Sequence, residues 1–249
     1  MSDTPTAGSV VEEIVARTAP GQERAVALHD YVRERVRFGF NKYFDAAEPE
    51  YTLACGVGHC NPKSRLMVAL FQEAGFESHM HFVAIPKDIL KGALPASRYW
   101  MIPAELSHSY VDVHVEGIWC SIDSHIVDTP LLQAAQARLA AEGRRLGYGA
   151  RIDSTNVWDG QSDAFSQFDP DLRIEDHGRV DDLDAYFGSR KYRNQVLGLR
   201  FNTMFPLMGD AGVAPMNAHI EKLRRRAAGS GHEAAALGPG GAKRKEEIA

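Results

Sequence analysis

The 249-residue chain is 44% hydrophobic, enough for one large or two small globular domains with a real core. Its 28 basic and 33 acidic residues leave a net charge of -5 and no broad basic surface, which argues against nucleic acid as a partner. The N-terminal stretch has neither a basic leader nor a long apolar run, and no window of about 18 consecutive apolar residues occurs, so a cytoplasmic protein without a membrane span is expected.

Residues 9–17 place Val10, Val11, Ile14 and Val15 at helical spacing behind a Ser9 cap, and Pro20-Gly21 stops the pattern. A longer helix is read from residues 22–38, where Leu28, Val32 and Val36 stand four apart beside Val26 and Tyr31. From Gly39 to Gly58 aromatic, proline and acidic residues lack periodicity and read as an ordered loop. A third helix begins near Asn61: Pro62 suits a first turn, Gly75 suits the left-handed position past the end, and Leu66, Met67, Leu70, Phe71 and Ala74 make its apolar stripe. Residues 79–86 read as a strand, 87–106 as a long connection, and 107–115 and 118–126 as strands joined at Glu116-Gly117. Helix formers follow Pro130 up to a Gly143 stop. Residues 144–205 show no pattern that assigns an element, a helix is read at 215–228, and residues 228–249, rich in Gly, Ala and charge, read as a disordered tail. No linker separates the halves, so residues 1–227 are taken as a single domain.

Three cysteines, Cys55, Cys60 and Cys120, are an odd and sparse set for a disulfide framework, and free thiols are expected. Cys60 opens the third helix. Unpaired backbone N–H groups and the positive end of the macrodipole favour an anion there, so the thiol should ionise more readily than usual, with Lys63 one turn on helping. The same N–H groups suit an oxyanion. The alternative is a small buried hydrophobe.

A two-residue turn at Glu116-Gly117 pairs Val115 with Ile118 and sets 114 opposite 119, 112 opposite 121, 110 opposite 123 and 108 opposite 125. Period two then sorts the side chains. One face carries Val111, Val113, Val115, Ile118, Cys120 and Ile122 and must be core, which assigns Cys120 to packing. The other carries His108, Tyr110, Asp112, His114, Trp119, Ser121, Asp123 and His125, too polar for core. Asp123 lies diagonal to His108 at about 7–8 Å between backbones, a gap side chains bridge. The alternative for this face is an ordinary solvated sheet surface. Cys55 reads as structural.

A glycine-flanked Cys opening a helix that ends in "EAGF", a strand beginning His-Ser-Tyr-Val-Asp-Val, and "WCSID" after a hairpin turn together resemble the transglutaminase-like superfamily. The resemblance covers about residues 22–125. It implies an α+β, papain-like fold in which the nucleophile's helix packs on an antiparallel sheet; residues 126–249 match no part of the family, and 126–227 read as a helical and loop-rich extension. It also implies a Cys60, His108, Asp123 triad and acyl transfer through a thioester. The family commonly has Trp two residues after the His, where this chain has Tyr110, which blurs the substrate.

On that reading Cys60 attacks an amide or ester carbonyl, His108 moves the proton and Asp123 fixes the imidazole tautomer. Peptides, amides or small-molecule acyl compounds are the expected substrates, with no cofactor and no metal. His59, Tyr110 and Trp119 are candidate substrate contacts, and Trp158 could wall a pocket over the triad from the 148–168 segment. Two other readings stay open: a non-catalytic binding domain that retains the fold, and a metal site drawn from Cys55, His59, Cys60, His79 and His81, for which adjacent ligands at 59 and 60 are awkward.

Overall fold

A computed structural model describes residues 5–236, with side chains through residue 225. The chain opens with α1 (Ala7–Val15) and α2 (Gln22–Arg35). The cap of α1 is Thr6 and not Ser9: the Thr6 hydroxyl accepts from the Ser9 N–H while the Ser9 hydroxyl accepts from the Thr6 N–H, a reciprocal box that moves the start back to Ala7. The stretch 39–58, expected as a loop, holds more structure. β1 (Arg37–Phe38) pairs in parallel with β2 (Val57–Gly58), and between them lie a tight turn at Phe44–Ala46 and α3 (Pro49–Cys55). Pro49 starts α3 and Gly56, at φ 61°, ends it. Seven residues are too few to display an apolar period.

After α4 (Cys60–Glu73) come β3 (Ser78–Pro86), the short α5 (Ala96–Tyr99), β4 (Glu105–Val115) and β5 (Ile118–Ile122). The extension contributes α6 (Thr129–Ala141), the two-residue strands β6 (Leu146–Gly147) and β7 (Ala150–Arg151), then β8 (Glu175–Val180) and α7 (Leu183–Gly188). It finishes with β9 (Gln195–Val196), β10 (Leu199–Arg200) and α8 (Phe201–Ala236), whose two segments meet at Gly209. Of the expected tail at 228–249, residues 228–236 continue α8 and 237–249 lie outside the described residues.

The fold is α+β. Its main sheet has the order β5-β4-β3-β8 with every pair antiparallel. Glu116 and Gly117 both take positive φ, 48° and 90°, the turn whose twist suits a two-residue hairpin. The register follows from it: Val115 faces Ile118, His114 faces Trp119 and Asp112 faces Ser121. Val111, Val113, Val115, Cys120 and Ile122 are buried against α1, α2 and the Leu66, Met67, Leu70, Phe71 stripe of α4. Ile118, at the hairpin end, is the exception and is about half exposed.

A second core joins Phe38, Phe40 and Phe44 to α6 and α8 through Leu131, Leu139 and Ile220. Arg224 on α8 locks this layer, its Nε and Nη2 donating to the two carboxylate oxygens of Asp128 at 2.8 and 2.6 Å. Asp128 also caps α6 and accepts from the Phe38 N–H at 2.9 Å. Removing one partner of such a buried pair typically costs about 3–5 kcal/mol, because the other charge is left uncompensated.

Candidate active site

Cys60 is the first residue of α4, with extended backbone at His59 just before it. The thiol is half-buried at the base of a cleft and lies in the field of the Ser109 and Asn61 N–H groups, which favour its ionisation. They lose. Burial, followed by the Asp45 carboxylate and more weakly by Asp123, pushes the Cys60 thiol well above the ordinary thiol range. This differs from the sequence expectation of a ready thiolate, since desolvation and two carboxylates outweigh the helix start. Lys63 does not help either. It is fully buried and donates from Nζ to the carbonyls of Val36 and Ile126, stitching the end of α2 to the loop after β5.

His108 sits on β4, one residue before Ser109, and donates from Nε2 to Asp123 Oδ2 at 3.0 Å with both side chains buried. That bond leaves Nδ1 as the ring nitrogen available for proton exchange. β5 ends at Ile122, so Asp123 stands just past the ladder and is held by the extension instead. The N–H groups of Ser166, Gln167 and Phe168 all point at its carboxylate, those of Gln167 and Phe168 at 3.1 and 2.6 Å. Burial alone would raise the Asp123 pKa, but the His108 hydrogen bond and charge, with the Phe168 and Ser166 N–H groups, bring it below the ordinary carboxylate value. The Phe168 ring lies nearly parallel to the His108 ring, at 6.4 Å.

A second buried carboxylate, Asp45, went unnoticed in the sequence. It accepts from His59 Nε2 at 2.7 Å, from Asn61 Nδ2 at 2.7 Å, from Asn194 Nδ2 at 2.8 Å and from the Tyr192 hydroxyl. Asn194 also satisfies the free edge of β4, accepting from the Ser107 N–H and donating to the Ser107 carbonyl. Cys60 is thus flanked by two His–Asp pairs. Nδ1 of His59 is buried with no hydrogen-bond partner among the described residues.

Cys60, His59 and His108 open onto a cleft whose empty volume is about 820 Å³, open solvent at its mouth included. Tyr110, Trp119 and Trp158 are not among its lining residues. Tyr110 is buried on the outer face of the sheet, stacked on His81 at 4.5 Å and Phe168 at 5.1 Å. Trp119 is 46% exposed near the hairpin turn, against His114 and His79. Trp158 is buried in the inner core beside His29 and Phe71. The outer face therefore divides: Val83, Leu106 and Tyr110 form an apolar patch under Phe168, while His79, His81 and Asp112 remain polar. His125 leaves the sheet and turns inward to Ser64, where burial, with the nearby His29, Lys63 and His108 adding to it, holds its pKa well below the ordinary value.

The family model of the transglutaminase-like superfamily matches residues 8–124, a span that contains Cys60, His108 and Asp123. Residues 8–124 are similar to the core of that superfamily. No curated protein and no solved structure matches the chain significantly. The matched segment supplies α4, which Cys60 opens, and most of the sheet, and the extension supplies the donors to Asp123 and, through Val196, Phe201, Met204, Phe205 and Met216, one wall of the cleft.

The residues weighed for a metal are dispersed. His59 is engaged by Asp45, His79 and His81 share Asp112 on the outer face, and Cys55 is an exposed thiol against the Val57 carbonyl. Among the described residues no group of three or more His, Cys, Asp or Glu side chains is arranged to hold a metal ion. None of the described helices is long and apolar enough to cross a membrane.

Proposed function

We infer that this chain is a cysteine-dependent acyl-transfer enzyme, an amide hydrolase or a transglutaminase-type acyltransferase, working through a thioester on Cys60. The observation that carries the reading is the buried 3.0 Å bond from His108 to an Asp123 pinned by three successive backbone N–H groups, beside the cleft that Cys60 and His108 share. Because the resting thiol is held protonated, His108 acts as general base during attack. The Cys60 sulfur bonds to the carbonyl carbon as its proton passes to His108. The tetrahedral intermediate collapses, the bond to the leaving nitrogen or oxygen breaks, and His108 returns the proton to that atom. Water or an amine, deprotonated by His108, then releases the acyl group and restores the thiol. Asp123 holds the imidazole tautomer and stabilises its cationic form, and the Cys60 N–H contributes to oxyanion binding.

The test is intact-mass detection of an acyl adduct after mixing the protein with an activated ester, with the adduct mapped by digestion. An adduct on Cys60 that is absent in Cys60→Ser and slowed at least a hundredfold in His108→Ala supports the reading. Absence of any Cys60 adduct across ester, thioester and amide donors refutes it and favours a binding domain.

A further inference from the structure

The cleft above Cys60 is walled by Phe40, Phe44, Ile85, Leu94, Phe205 and Met216, with further apolar side chains between them. Its polar lining is sparse and mostly engaged. Gln167 donates to the Gly149 carbonyl, Asn194 serves Asp45 and Ser107, and His108 is held by Asp123. Arg98, on the connection between β3 and β4, is the one permanently charged group among the described residues that line it, and no carboxylate pairs with it there. A wall of this kind offers little to a peptide backbone, which would have to give up its water for unpaired surroundings. It offers much to a hydrocarbon chain.

Three segments that line the cleft also carry large apolar side chains into solvent. Trp100, next to lining residue Met101, is 79% exposed; Leu197, next to Val196, is 99% exposed; and Leu207, two past Phe205, is 86% exposed. Exposed apolar groups attached to the lining of an apolar cleft mark an entry for an apolar ligand.

The geometry points to an amphiphilic acyl donor: an extended or bulky apolar acyl group in the cleft, with one anionic group, carboxylate or phosphate, paired with the Arg98 guanidinium. This rests on the reading of Cys60 as acyl acceptor. The anion belongs either to the far end of the acyl chain or to the leaving group.

The test compares p-nitrophenyl acetate, p-nitrophenyl octanoate and the mono-p-nitrophenyl ester of octanedioic acid, together with octanoyl thioesters of a neutral thiol and of a phosphate-bearing thiol. Wild type, Arg98→Gln and Arg98→Lys of the full chain are assayed. The expected result is kcat/KM for octanoate at least tenfold above acetate, and at least a fivefold advantage for one of the two anionic donors over its neutral counterpart. That advantage falls toward one in Arg98→Gln and is largely kept in Arg98→Lys. An advantage for the dicarboxylate assigns the anion to the acyl chain, and one for the phosphate assigns it to the leaving group. Acetate turned over as well as octanoate, or an anion preference absent or unchanged in Arg98→Gln, overturns the proposal. Calorimetric titration of Cys60→Ser with octanoate separates the two readings: binding weakened at least fivefold by added Arg98→Gln, with no donor acylating wild-type Cys60, leaves the cleft assignment standing and removes the enzymatic one. Acylation of Cys60 without chain-length preference does the reverse.

Discussion

Asp45 opposes the ionisation of Cys60, and after burial it is the strongest influence holding the thiol up. Wild-type labelling by iodoacetamide should therefore be slow near about pH 7 and still climbing above about pH 9, since only the thiolate reacts. Asp45→Asn removes the negative charge while keeping an acceptor for His59 and Asn61, so it lowers the thiol pKa and speeds labelling several-fold at neutral pH. Rapid labelling of wild-type Cys60 at about pH 6 contradicts this account.

Asp123→Asn keeps the shape of the orienting group and loses its charge, so the imidazole is held in the wrong tautomer. Turnover should fall by roughly two to four orders of magnitude. The folded state keeps the Asp123 pKa below its unfolded value, so its contribution to stability is full above the unfolded pKa and is lost as pH falls through the folded one. Acid unfolding should accordingly be shallower for Asp123→Asn than for wild type, measured by circular dichroism below about pH 4.

Trp158 and Trp119 should separate cleanly. Trp158→Ala opens a void beside Phe71 and His29 and should cost about 3–5 kcal/mol in urea unfolding. Trp119→Ala acts on a half-exposed ring and should stay within about 0.5 kcal/mol. A change in KM with no change in stability for either variant argues for a substrate contact that the cleft lining does not include.

Lys63 makes stability depend on alkaline pH. Burial lowers its pKa from 10.5 to about 7. Between those values the unfolded chain binds the extra proton, so stability rises with pH, by up to about 1.4 kcal/mol per unit. Lys63→Met should abolish the rise, read from urea midpoints at about pH 7 and about pH 9. An unchanged slope in the variant shows that Lys63 is charged in both states.

The hairpin was legible because one dipeptide, Glu116-Gly117, fixes the turn, and the turn fixes every facing pair as far as Val111 and Ile122; the pairs expected at 110/123 and 108/125 do not form, because β5 ends at Ile122. Helix α4 was legible from its proline and glycine. What period two cannot say is what covers a face. Tyr110 and Trp119 share one side of the sheet, yet the first is sealed by Phe165 and Phe168 and the second is open. Asp45 was hidden for a different reason. Two of its partners, Tyr192 and Asn194, come from nearly 150 residues away, and no local pattern announces a contact of that range. Strand β8 carries Glu, Asp, His, Gly and Arg ahead of its final Val180, so neither alternation nor strand propensity reveals it.

The matched segment ends at residue 124, yet the three N–H groups that hold Asp123 belong to residues 166–168. A protein cut at that boundary would keep Cys60, His108 and Asp123, the triad proposed above, and strand the carboxylate without its backbone donors. Grafting this core onto another extension therefore demands a replacement for those donors before any new specificity is tried. A change within residues 166–168 is, in effect, a change to the support of Asp123 made from outside the matched segment.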